Sequence, residues 1–117
     1  METNSTLHEN KLNLTKIKNI ITNWAKRKDL IRSIYLYGSR IKGNYLPDSD
    51  LDIAIEVISS PEESTTLIWL DYGDIWGIEL QELLSYQIDL QLLDEDSPTV
   101  QKGIDDSSLL VYTKKGT

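Results

Sequence analysis

The sequence predicts an α/β (α+β) domain with a small mixed β-sheet of about four strands and helices packed on it. Three observations carry this. Apolar residues recur at helical spacing near the amino end. Four short runs rich in β-branched and aromatic residues follow. A long apolar stretch with helical character separates the second run from the third.

Each element has its own warrant. Over Lys11 to Lys28, Leu14, Ile17, Ile20, Ile21 and Trp24 recur with lysines between them, which predicts an amphipathic helix covering a core. Leu30 to Tyr37 (LIRSIYLY) reads as a buried strand that stops at Gly38. Asp50 to Val57 alternates, with Leu51, Ile53, Ile55 and Val57 on one face and Asp50, Asp52, Ala54 and Glu56 on the other. Pro61-Glu62-Glu63-Ser64 resembles a helix start, and the helix is expected to run to about Ser85, with Tyr72-Gly73 as a candidate break. Ile88 to Leu93 (IDLQLL) is a third strand, with Asp89 facing away from Ile88, Leu90 and Leu92. Ser97-Pro98 opens a short helix to about Asp105, and Leu109 to Thr113 closes the sheet. The helices are expected on one side.

Length and composition narrow the function. At 117 residues the chain is expected to be a single domain, residues 1–117, so a large substrate must be held by something else. No apolar run reaches the roughly 20 residues that span a bilayer, and the start METNSTLHENK lacks a signal peptide's pattern, so a cytoplasmic location is expected. With no cysteine, any metal falls to oxygen ligands or to His8. The net charge of −7 speaks against direct nucleic-acid binding and permits a basic protein partner or a small anion.

The chemistry concentrates between Leu36 and Val57. Asp50 and Asp52 project from one strand face, where two carboxylates repel unless cations sit between them. Mg²⁺ suits an all-oxygen donor set. Asp89 converges with them if its strand pairs with theirs. Gly38 lets the chain turn sharply, and Ser39 can cap a turn, Ser39 to Lys42, ending at Gly43. Exposed N–H groups there, with Arg40 and Lys42, form an anion site beside the acids. Together they describe a nucleoside triphosphate site for in-line phosphoryl or nucleotidyl transfer with two ions about 4 Å apart.

Gly38-Ser39, ten residues, then Asp50-Leu51-Asp52 reproduces the GSx10DxD signature. The chain thereby resembles the DNA polymerase beta nucleotidyltransferase superfamily, and among its members the minimal nucleotidyltransferases (MNT) that pair with HEPN proteins as toxin–antitoxin systems. The resemblance implies that Asp50 and Asp52 bind two Mg²⁺ ions. Asp89 would bind the catalytic ion and help deprotonate the acceptor, Gly38 and Ser39 would hold the β- and γ-phosphates, and Arg40 and Lys42 would contact phosphate or partner. It further implies ATP as co-substrate, a HEPN toxin as partner, and transfer of AMP to a tyrosine of that toxin.

Two other functions compete with it: a non-catalytic module that neutralises a partner by stoichiometric occlusion, and transfer to a small hydroxylated molecule. Asp48 reads as a turn residue or a site residue, Trp69 and Trp76 as core or interface. Tyr37 reads as packing, with self-adenylylation there or at Tyr45 as the alternative.

Overall fold

The first helical period folds as α1, Leu14–Ala25, in a computed structural model that describes residues 13–43, 48–94 and 97–114. Lys11 therefore lies outside the described residues, as do His8 and Tyr45. Asn13 caps α1: its side-chain oxygen accepts the Lys16 N–H at 3.1 Å, satisfying an amide that a helix start leaves without a partner. Ile17, Ile21, Trp24 and Ala25 are buried, and Lys16, Lys18 and Lys26 are exposed. The helix stops short of Lys28 because the Lys28 N–H turns back to the Ala25 carbonyl at 2.9 Å, a tighter turn that redirects the chain into the first strand.

That strand, β1 (Ile31–Tyr37), leads into a one-turn helix α2 (Ser39–Lys42) and then β2 (Leu51–Val57). With β3 (Ile88–Leu92) and β4 (Ser108–Thr113) they form one sheet in the order β3-β2-β1-β4. β1 is antiparallel to β2 and β4, whereas β2 and β3 are parallel. A parallel pair needs a crossover, supplied here by the long helix α3 (Thr65–Leu83). Cross-strand register then sorts the faces. Leu36 pairs with Ile53 and Ile34 with Ile55, and all four are fully buried under α1 and α3. Their neighbours Tyr37 and Asp52, and Ser33 and Glu56, pair on the opposite face.

Two expectations about α3 change. Pro61 to Glu63 lie before the helix, in a turn closed by hydrogen bonds between the Ser60 and Glu63 backbones at 3.0 and 3.2 Å. Ser64 is the cap, accepting the Leu67 N–H at 3.3 Å. Nor does Tyr72-Gly73 break the helix. A β-carbon at Gly73 would lie 3.0 Å from the Trp69 indole, so the glycine leaves room for that ring, and ring packing offsets the roughly 1 kcal/mol that a helical glycine costs. Trp76 centres the cluster, edge-on to Trp24 and Trp69 at 6.3 and 6.2 Å and stacked on Tyr72 at 5.5 Å. Trp76 is core, and Trp69 packs half-buried against it.

Glu79 joins α1 to α3. It accepts the Trp24 indole N–H at 3.0 Å and pairs with Lys28 at 2.7 Å, which hold its carboxyl below the usual range. Glu79→Ala is expected to lower stability by about 1–2 kcal/mol by leaving the indole unpaired, and Glu79→Gln by less, as urea unfolding would report. Because the folded protein depresses this pKa, the stabilisation is present above the ordinary carboxylate value and fades as pH falls below it.

The last helix, α4 (Pro98–Asp106), departs from the one-sided arrangement. It lies on the face opposite α1 and α3, where a β-carbon at Gly103 would come within 2.8 Å of the Tyr37 ring. The glycine lets the helix backbone rest on that ring. Ser97 holds the cap position of α4, its carbonyl accepting the Gln101 N–H at 2.9 Å, but its hydroxyl makes no capping bond and donates instead to the Asp94 carboxylate at 2.9 Å. Among the described residues no helix is long and apolar enough to cross a membrane.

Candidate active site

Strand pairing gathers the acids. Asp52 on β2 sits opposite Asp89 on β3 and Tyr37 on β1, all on the face turned away from α1 and α3. Gln81 of α3 helps set where β3 begins. Its amide donates to the Tyr86 carbonyl at 2.8 Å and its carbonyl accepts the Ile88 N–H at 3.0 Å, one residue before Asp89. Gln91, next along that face, donates to the Asp89 carboxylate at 2.9 Å.

The electrostatics follow from this crowding. Burial, then the charges of Asp89 and Asp50, push the Asp52 carboxyl up from 3.8 to about 6. Tyr37 is pushed up to about 12, first by burial and then by Asp52 and Asp89. In the metal-free protein it holds its proton at neutral pH and packs against Gly103 of α4.

Asp50 lies just before β2 and is exposed. It raises Asp52 electrostatically, but no backbone ladder fixes it as one fixes Asp52 and Asp89. Among the described residues no three His, Cys, Asp or Glu side chains form a ready-made cation cluster. Asp48 is exposed in the turn before. The convergence expected of three acids is therefore closest for two.

The turn after β1 lies directly against them. Gly38 has φ 82° and ψ −162°, backbone that other residues rarely adopt, and a β-carbon there would collide with the Asp52 carboxylate. The Gly38 carbonyl accepts the N–H groups of Ile41 and Lys42 at 3.1 and 2.9 Å, which closes α2. Gly38 is thus the cap, and Ser39 the first helical residue. Gly38, Ser39 and Lys42 line a cleft of about 160 Å³ whose other wall is Gly103, Asp106 and Ser107 of α4 and its end.

Arg40 departs from its expected role. It is 8% exposed, its Nε donates to the Ser49 carbonyl at 2.8 Å, and its guanidinium lies 4.9 Å from the Tyr86 ring centre. It braces α2 against the segments that lead into β2 and β3.

Sequence reasoning missed Gln91, although the strand period places it beside Asp89. It also missed Gly103, Asp106 and Ser107, which reach the site only because α4 packs on Tyr37.

The carboxylate pair fits a hard divalent cation. Mg²⁺ commonly takes one or two protein carboxylates and completes its shell with water and substrate phosphate, so a dedicated three-acid cage is not required. Burial first, and then the charges of Asp89 and Asp50, disfavour the ionised Asp52 carboxyl, and a bound cation would offset both.

Known proteins share this fold. One chain of similar fold comes from a toxin–antitoxin crystallised with AMP-PNP, with 21% identity and a TM-score of 0.58 over 89% of this chain and 76% of that one. Another comes from a complex of tri-AMPylated Shewanella oneidensis HEPN toxin with MNT antitoxin, with 17% identity and a TM-score of 0.57 over 89% and 75%. A third is a Sulfolobus solfataricus protein proposed to be a nucleotidyltransferase, with 23% identity and a TM-score of 0.53 over 88% and 83%. Proteins of curated function give no match. Residues 16–117 match the family model for polymerase beta nucleotidyltransferases, and this chain belongs to that family.

Proposed function

We propose that the chain moves AMP from ATP to a tyrosine hydroxyl of a HEPN ribonuclease in the cytoplasm and acts as its antitoxin. The observation that carries this reading is the registered pair Asp52 and Asp89, with the Gly38 turn packed on Asp52. The fold shared with chains from toxin–antitoxin complexes supports the choice of partner.

Gly38 and Ser39 bind the β- and γ-phosphates in the cleft, with Lys42 at its rim. Asp52 and Asp89, joined by Asp50, would hold two Mg²⁺ ions, which when bound offset triphosphate charge and make the acceptor oxygen more nucleophilic. The acceptor oxygen forms a bond to the α-phosphorus as the bond to the β-phosphate bridge breaks. Pyrophosphate leaves with the electron pair, and Asp89, steadied by Gln91, takes the phenolic proton.

The test is intact-mass spectrometry of a HEPN protein encoded beside this chain, incubated with it, Mg²⁺ and ATP. The expected result is added AMP units that map to tyrosine. Asp89→Asn is expected to keep ATP binding and lose transfer by about 10²-fold or more. A complex that forms with no added mass would replace this reading with stoichiometric occlusion, and an Asp89→Asn protein that only binds ATP more weakly would remove the proton-accepting role.

A further inference from the structure

α3 turns a second surface outward. Leu67, Leu70, Ile75 and Ile78 are 51, 73, 52 and 62% exposed, on a helix whose inner face buries Ile68, Trp76 and Leu80. A helix on a soluble domain ordinarily gives its outer face to polar side chains, and an apolar patch there marks a contact surface. Beside it runs a groove of about 530 Å³ between α3 and β3, bordered by Trp69, Gly77, Ile78, Ile88 and Leu90. Among the described residues β3 is an edge strand, paired only with β2, so this flank is the open side of the described sheet. Asp71, Asp74 and Glu82 stand exposed among the aliphatic side chains and form no ion pair among the described residues.

We infer that this flank docks a separate protein presenting an apolar helix ridge edged with lysine or arginine. The inference rests on the reading above, in which the acceptor hydroxyl belongs to a protein. Charge decides the occupant. A second copy meeting through α3 would set Asp71 and Asp74 against the same acids, in a chain of net charge −7. The lysine-bearing helix α1 offers the right charge, but Leu14 is the one large apolar residue exposed on it. A different protein, basic and apolar together, satisfies both features.

The placement suits an acceptor. β3 sends Ile88 and Leu90 toward the groove and Asp89 toward the opposite face of the sheet. A protein held on this flank sits beside the strand that carries Asp89 and leaves the Asp52–Asp89 pair open. It can be gripped before and during transfer without filling the nucleotide site.

The experiment titrates the HEPN protein of the preceding section against two variants, Leu70→Glu with Ile78→Glu, and Asp71→Lys with Asp74→Lys. The second leaves the aliphatic surface intact. Circular dichroism checks that each is folded. The expected result is that each pair raises the dissociation constant and the acceptor KM at least about tenfold, while kcat and the ATP KM stay within about twofold. Wild-type binding weakens with added salt, and the lysine pair loses most of that dependence. Asp52→Asn is expected to keep the wild-type dissociation constant and lose transfer, which separates docking from chemistry. Binding sensitive to both pairs with no AMP transferred upholds the docking surface and removes the transfer reading. Unchanged affinity in both pairs, no binding of the HEPN protein, or a wild-type dimer in sedimentation that the glutamate pair dissolves would each overturn the inference.

Discussion

Asp52→Asn is expected to reduce nucleotidyl transfer by about 10³-fold, the scale reached when one electrostatic contributor to a charged transition state is removed. The same substitution is expected to make the metal-free protein more stable at pH 8. Asp52 is raised from 3.8 to about 6 in the fold, so the folded state binds this proton more tightly than the unfolded chain does. Its contribution is most favourable below about pH 4, declines as pH rises toward 6, and is a constant penalty above that. A displacement of this size corresponds to at most about 3 kcal/mol, which solvent at a half-buried carboxylate screens to on the order of 1 kcal/mol. Thermal unfolding in chelator from pH 4 to pH 8 measures it: the stability of the variant relative to wild type should rise from pH 4 to about 6 and level off above. Added Mg²⁺ should raise the wild-type midpoint and leave the variant's nearly unchanged. A variant less stable than wild type at pH 8 in chelator would show that the carboxylate is a structural hydrogen-bonding group instead.

Gly38→Ala is expected to be the most damaging change of a single hydrogen to a methyl group. It combines an unfavourable backbone, about 1–3 kcal/mol for a non-glycine residue in this region, with a collision against the Asp52 carboxylate. Either the turn moves or the acid does, and both disturb the place where triphosphate and cation meet. Transfer should fall by about 10²-fold, the scale of misplacing a reacting group by 1 Å, with a lowered unfolding midpoint. Gly43→Ala is the control. Gly43 also has positive φ, 94°, but a β-carbon there meets nothing among the described residues. Its cost is conformational, about 1 kcal/mol, and transfer should persist. Equal losses of transfer in the two variants would mean that the Asp52 contact is not what makes Gly38 necessary.

Much of the site was legible because it is written locally. The alternation from Leu51 to Val57 sets the face on which Asp52 lies, and a period of two admits no other assignment once the apolar residues are buried. Asp89 could be placed by the same rule. Arg40 could not, because its direction depends on Ser49 and Tyr86, which precede two different strands and meet it only after the sheet has formed. Asp50 looked equivalent to Asp52 by spacing, yet the ladder starts at Leu51 and leaves it outside. The candidate break at Tyr72-Gly73 misled because the glycine's partner is a ring one turn earlier on the same helix, packed in a cluster that includes Trp24 of another.

By itself the sequence determined the element order, the faces of the strands and the family signature that links Gly38-Ser39 to Asp50 and Asp52. These depend on backbone periodicity and on contacts within a few residues. Tertiary structure alone decided the strand order β3-β2-β1-β4, the pairing of Asp52 with Asp89, the seat of α4 over Tyr37 and the outward aliphatic face of α3. Those follow from which distant surfaces bury one another, and a helix or strand carries no local record of its partner.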